Sequence, residues 1–137
     1  MKVLLTGATG FVGRALCTTL LAHGKKVRGT IRHESDKLPQ GVELGVVGDL
    51  AKHPDWLPAL QNVEVVIHCA AQVSTAWDTF PTVSVNFKRV NLEGTRQLAE
   101  ACVEQSVRRL VFLSTLKVLG EHSRFGVPLT PDSLPNP

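Results

Sequence analysis

Two short stretches of this sequence carry residue types whose spacing can do chemistry. The first is "TGATGFVG", residues 6–13, in which Gly7, Gly10 and Gly13 recur every third residue. Between a strand and a helix, glycines so placed suit binding of a dinucleotide's phosphates, with a merely structural turn as the alternative. Gly7 permits the tight turn, Gly10 lets backbone approach a pyrophosphate, and Gly13 lets the helix lie close on the strand. The helix start then offers its free N–H groups to the anion. The spacing, G-x-x-G-x-x-G, is one residue longer than the common G-x-G-x-x-G. The second stretch is "RRLVFLSTLKVLG", residues 108–120, where an apolar strand ends in two hydroxyls, Ser114 and Thr115. Taken alone this pair reads as a strand terminus, since Thr is at home in strands. No Gly-Lys-Ser/Thr follows the glycines, which excludes a P-loop nucleotide hydrolase.

The elements that must hold these residues alternate. "KVLLT" (2–6) reads as a strand, and "FVGRALCTTLLAHG" (11–24) as a helix with Phe11, Ala15, Leu16, Leu20 and Leu21 on its apolar face and Gly24 as its stop. Further strands are predicted over 26–31, 42–47, 63–70 and 110–113. The run "VEVVIHCA" is nearly all apolar, the pattern of a strand buried on both faces. Pro58 limits "DWLPAL" to a short helix, whereas residues 85–106 form a long one with Val90, Leu98, Ala101 and Cys102 inward. Strand and helix in turn imply an α/β fold, a doubly wound parallel sheet of Rossmann type with the order 3-2-1-4-5. Residues 1–125 are expected to form the dinucleotide-binding domain. Residues 126–137 hold four of the eight prolines and read as a loop leading onward.

At 137 residues, 43% hydrophobic and 20% charged, the chain can fill one core. A net charge of +3, scattered arginines and 5% aromatics argue against a nucleic-acid surface and fit a small anionic ligand. Cys17, Cys69 and Cys102 sit apart in apolar runs and read as reduced core thiols; no Cys/His spacing suggests a metal. No run approaches the ~18 apolar residues of a membrane span, and a cytoplasmic protein is expected.

The glycine loop resembles that of the extended short-chain dehydrogenases/reductases, the family of nucleotide-sugar epimerases and dehydratases. "GDL" (48–50), "HCAA" (68–71), "VNLEGT" (90–95) and "FLSTLKVLGE" (112–121) resemble its further motifs, in the family's order. The last is most similar to UDP-sugar 4-epimerase-like members. The resemblance implies cofactor contacts at Gly7, Thr9, Gly10, Phe11, Val12 and Gly13. It places adenine against Asp49 and the next amide, of Leu50. Cys69, Ala70 and Ala71 then run beside the nicotinamide ribose, with Ser114 also near the cofactor. Asn91 props the active site, and Ser74 and Thr75 face substrate.

Thr115 matches the family's catalytic hydroxyl, which holds the reacting oxygen while a tyrosine of Tyr-x-x-x-Lys moves the proton. This sequence contains no tyrosine. It is therefore expected to be the N-terminal part of a longer enzyme, short of the last strands and the substrate lobe, and inactive alone. The implied reaction is transient hydride transfer at a sugar hydroxyl of a nucleotide sugar, and the helix at 86–105 suggests a homodimer. The competing reading is a non-catalytic dinucleotide-binding module, regulatory or redox-sensing.

NAD-preferring folds place an acid at the end of the second strand; here Ile31 is followed by Arg32, which suits a 2′-phosphate. NADP(H) is thus favoured over NAD(H), with a solvated Arg32 and Glu34 or backbone serving NAD as the alternative. Asp49 could equally cap a turn. His68 reads as a packed strand-end histidine, Lys117 as rim, and Arg108 and Arg109 as solvent-facing.

Overall fold

The computed structural model describes residues 1–33, 37–73, 82–123 and 125–136. Five parallel strands lie in the order β3-β2-β1-β4-β5, as the sequence implied: β1 Lys2–Thr6, β2 Lys26–Ile31, β3 Glu43–Val46, β4 Val65–His68 and β5 Arg109–Phe112. Successive β1 side chains feed opposite layers. Leu4 joins Trp56, Ala59, Leu60, Val66, Leu98 and Cys102 on one face, whereas Leu5 joins Ala8, Cys17 and Val27 on the other. Helix α1 (Phe11–Ala22) covers the second face; α2 (Leu57–Leu60) and α4 (Thr95–Glu104) cover the first. Sheet order reverses between β1 and β4, which opens a crevice beyond their carboxyl ends.

The buried stripe of α1 is rotated from the expected one. Phe11 is 96% exposed and Ala15 is exposed, while Gly13 and Cys17 are buried and Leu16, Leu20 and Leu21 half-buried. The cause lies at Gly13, which must face the preceding turn. Phe11 and Ala15, two residues to either side, then fall roughly 200° around the helix. Gly24 (φ +67°) ends α1 as expected, with Lys25 N–H donating to the Leu20 carbonyl at 3.0 Å. The long helix arrives in three pieces: α3 (Thr82–Phe87), a π-helical stretch (Lys88–Gly94) and α4, with Val90, Leu98 and Cys102 buried. Pro58 lies in the first turn of α2, where it is tolerated; the helix ends before Asn62, which takes φ +60°.

One of the scattered arginines, Arg28, has a structural place. It is 8% exposed in β2, bonds Glu43 through Nε (3.0 Å), and donates through Nη1 to the Pro58, Ala59 and Gln61 carbonyls at the end of α2. Its charge joins sheet to helix. Among the described residues no helix is long and apolar enough to cross a membrane, and no three His, Cys, Asp or Glu cluster as a metal site.

Candidate functional site

The glycine turn is dictated by steric contact. A Cβ on Gly13 would stand 2.0 Å from the Gly7 carbonyl oxygen, and one on Gly7 2.8 Å from the Ala70 nitrogen. Gly7 also takes φ +68°, which disfavours any side chain there. The turn closes with Gly10 N–H donating to the Gly7 carbonyl at 3.0 Å, and no side chain caps the start of α1. The first helical N–H groups are thereby left for another acceptor.

A cleft of about 350 Å³ opens beyond this turn. Of the expected cofactor residues, Gly7, Thr9, Gly10, Arg32, Leu50, Cys69, Ala70 and Ala71 line it. Gly13 lies beneath the turn, and the Phe11 and Val12 side chains are exposed outside the cleft lining. The Asp49 carboxylate is engaged locally. Its Oδ1 accepts from Ala51 N–H at 3.0 Å and caps the turn Leu50–Lys52, while its neighbours Gly48 and Leu50 reach the cleft.

A second cleft, about 720 Å³, shares Cys69, Ala70 and Ala71 with the first and extends toward β5. It gathers Asn91, Ser114, Thr115 and Lys117 with apolar Val73, Phe87, Phe112, Leu113 and Val118. Thr115 starts the turn Leu116–Leu119, its Oγ1 accepting from Lys117 N–H at 3.3 Å. Lys117 is exposed on the rim, as expected. Asn91 holds the loop after β4 by both ends of its amide. Its Oδ1 accepts from Gln72 N–H at 2.7 Å and its Nδ2 donates to the Gln72 carbonyl at 2.9 Å. Ser74, Thr75 and Glu34 lie outside the described residues.

His68 is packed and bonded, 1% exposed, and burial pushes its imidazole below the ordinary 6.5. Its Nδ1 meets Thr6 Oγ1 at 2.6 Å, its Nε2 meets Thr95 Oγ1 at 2.9 Å, and Thr6 Oγ1 accepts from Ala70 N–H at 3.1 Å. Burial raises the Cys17 and Cys69 thiols and pushes Cys102 up to about 11, so all three stay protonated near neutrality and none is poised as a nucleophile. Sequence reasoning missed Thr6, Thr30, Gly48, Gln72, Thr95 and Phe112. Thr30 and Gly48 were findable, because they close strands whose carboxyl ends make the crevice. Thr6 and Thr95 stand inside the stretches "TGATGFVG" and "VNLEGT", but only packing brings them to His68.

Known proteins share this fold. The chain is 37% identical over 128 residues to UDP-glucose 4-epimerase of Vibrio cholerae, covering 93% of this chain and 38% of that one. It is 35% identical to 3-beta-hydroxysteroid dehydrogenase of Mycolicibacterium neoaurum, covering 86% and 33%. It superposes on UDP-glucose 4-epimerase of Thermus thermophilus, solved in complex with NAD, with a TM-score of 0.83 at 32% identity, covering 100% of this chain and 45% of that one. The chain thus spans about a third of the length of those two sequence relatives, 38% and 33%. Residues 3–137 match the profile of the NAD dependent epimerase/dehydratase family, and the chain belongs to it.

Proposed function

We propose that this chain binds a nicotinamide dinucleotide, with its pyrophosphate on the glycine turn, and forms the cofactor-binding part of an epimerase/dehydratase-type oxidoreductase. The observation that carries the reading is Gly13, whose Cβ would fall 2.0 Å from the Gly7 oxygen directly below an uncapped helix start. A turn this tight brings the helix start close to the strand end, where its backbone N–H groups can meet a phosphate. The adenosine half lies in the first cleft, toward Arg32, Gly48 and Leu50. The other half crosses Ala70 and Ala71 into the second cleft, where Thr115 stands. Phe11 and Val12 contribute backbone N–H groups rather than side chains. Adenine meets the Leu50 amide more readily than the occupied Asp49 carboxylate.

Arg32 lines the cleft at the end of β2, where its cation favours a ribose 2′-phosphate and hence NADP(H). The NAD held by the Thermus thermophilus neighbour weighs the other way. Calorimetric titration of the chain with NADH, NADPH and ADP tests both points. Binding of none of them overturns the reading, and a Kd for NADH equal to or below that for NADPH overturns the assignment to Arg32.

When bound, the nicotinamide supplies hydride acceptance and return at carbon. Thr115 donates a hydrogen bond to the substrate's reacting oxygen, and Asn91 keeps the loop after β4 in place around it. A hydroxyl of ordinary pKa is a poor base, and the 137 residues contain no tyrosine. The proton therefore passes to a group these residues do not supply, and this chain alone does not turn over. The likeness to UDP-glucose 4-epimerases supports a nucleotide sugar as substrate. A second reading, an apolar secondary alcohol, is favoured by Val73, Phe112, Leu113 and Val118 in the second cleft and by the hydroxysteroid dehydrogenase relative. Competition for the second cleft by UDP-glucose or by a 3-hydroxysteroid separates the two.

A further inference from the structure

We propose that Thr6, His68 and Thr95 form a relay, buried at Thr6 and His68, that sets Ala70 and Ala71 for the half of the dinucleotide crossing into the second cleft. The proposal rests on the dinucleotide reading above. Thr95 lines the second cleft, but neither Thr6 nor His68 lines either one, so these two act through Ala70 and are positioning residues.

One placement of the protons gives each group of this relay a partner. Thr6 is fully buried and its Oγ1 already accepts from Ala70 N–H at 3.1 Å. Its own hydrogen then goes to His68 Nδ1, 2.6 Å away, because a buried hydroxyl left without an acceptor is costly. Nδ1 is the acceptor, so Nε2 carries the ring hydrogen and donates to Thr95 Oγ1 at 2.9 Å. The order is Ala70 N–H, Thr6 O–H, His68, Thr95, each link fixing the sense of the next.

The placement says what the order is for. Thr6 is the last residue of β1 and precedes Gly7; His68 ends β4; Thr95 opens α4. The relay joins three elements at the segment both clefts share. Gly7 presses on Ala70 from the other side, where even a Cβ would lie 2.8 Å from the Ala70 nitrogen. The Phe112 ring closes over the imidazole with centroids 5.8 Å apart. Apolar residues of similar shape would fill this space without the cost of burying the two polar side chains of Thr6 and His68. What they would not do is fix the direction of the Ala70 amide. Residue 70 can then neither tilt into the first cleft nor withdraw from the second.

The test is a set of variants, Thr6→Val, Thr6→Ser and Thr95→Val, titrated with NADH, NADPH and ADP, with amide exchange at Ala70 followed by NMR. Thr6→Val is expected to weaken the dinucleotide by roughly tenfold or more, leave ADP within about twofold, and speed Ala70 exchange; Thr6→Ser restores all three. Thr95→Val shows a smaller loss in the same direction. In the wild type, 15N shifts of His68 report a hydrogen on Nε2. Equal losses for dinucleotide and ADP, or a Thr6→Val protein that binds and exchanges like wild type, overturn the proposal. If the wild type binds no dinucleotide, the functional reading falls separately. Ala70 exchange then decides whether the relay fixes this segment: faster in Thr6→Val and rescued in Thr6→Ser upholds it, and unchanged exchange overturns it.

Discussion

The two clefts meet at Ala70 and Ala71 but are built differently. The first is walled largely by backbone and small residues, and its floor is a turn in which two glycines leave no room for a Cβ. The second is walled by side chains, many apolar, and lies at the sheet edge, where Phe112 is 54% and Leu116 68% exposed. A backbone site is written into residues that cannot be exchanged, so it is complete wherever they fold. A side-chain site depends on whatever packs around it. The first cleft should therefore respond to single methyl groups, and the second to lost hydrogen bonds.

The largest expected effect is Gly13→Ala. Its methyl would overlap the Gly7 oxygen at 2.0 Å, so the turn or the helix must move. Overpacking of this kind costs roughly 1–3 kcal/mol or more, and dinucleotide binding should fall by about a hundredfold or more. Gly24→Ala is the control. Nothing lies within 4 Å of its Cβ, although φ is +67°. It should cost about 1–2 kcal/mol of stability through backbone strain and leave affinity unchanged. Denaturant unfolding beside calorimetric titration checks the pair. Equal affinity losses would break the contrast between a site built by contact and a stop built by conformation.

In the second cleft, Asn91→Leu strips both bonds from Gln72. A stability loss of about 2 kcal/mol is expected from the two unpaired backbone groups. Affinity for ADP should stay unchanged, because the first cleft keeps its turn. Unfolding midpoints and ADP titration measure this. A comparable ADP loss would mean that the clefts are one mechanical unit. Smaller still, Arg32→Ala should weaken NADPH by about tenfold and NADH by less than twofold, the worth of one charge-assisted bond to a 2′-phosphate. Parallel titrations report that ratio.

The difference between the clefts also explains what was legible in the sequence. The sheet order, the burial of β4 and the inward side of α4 at Leu98 and Cys102 follow from local pattern and held. The apolar face of α1 did not, because hydrophobicity favoured Phe11 while the demand at Gly13 decided the rotation. The long helix was found, but its π-helical middle was not, since periodicity does not register a widened turn. Arg28 resembled its exposed neighbours in sequence and proved to be the buried link from β2 to α2. Thr6 and Thr95, 89 positions apart in the chain, meet His68 only when β1, β4 and α4 are in place.

His68 gives the most delicate test, because it lies under the segment that both clefts share. Burial depresses its pKa from the ordinary 6.5. Between that value and the lower folded one, the unfolded chain binds a proton that the folded chain refuses. Stability therefore rises with pH across this window. The contribution is fully present above about pH 6.5 and is lost as pH falls through the folded value. In His68→Gln this slope should disappear, while the acid loss due to Glu43, whose carboxyl is held low by hydrogen bonds from Lys2 and Arg28, remains at lower pH. Thermal melts of both proteins from about pH 7.5 to 4 measure the two slopes. Protonation of His68 would also place a hydrogen on Nδ1, against the Thr6 hydroxyl that donates there in the neutral state. Dinucleotide affinity should therefore fall with pH across the same window, more steeply than ADP affinity. Identical pH profiles for the two ligands would place the histidine under the fold as a whole and not under the crossing between the clefts.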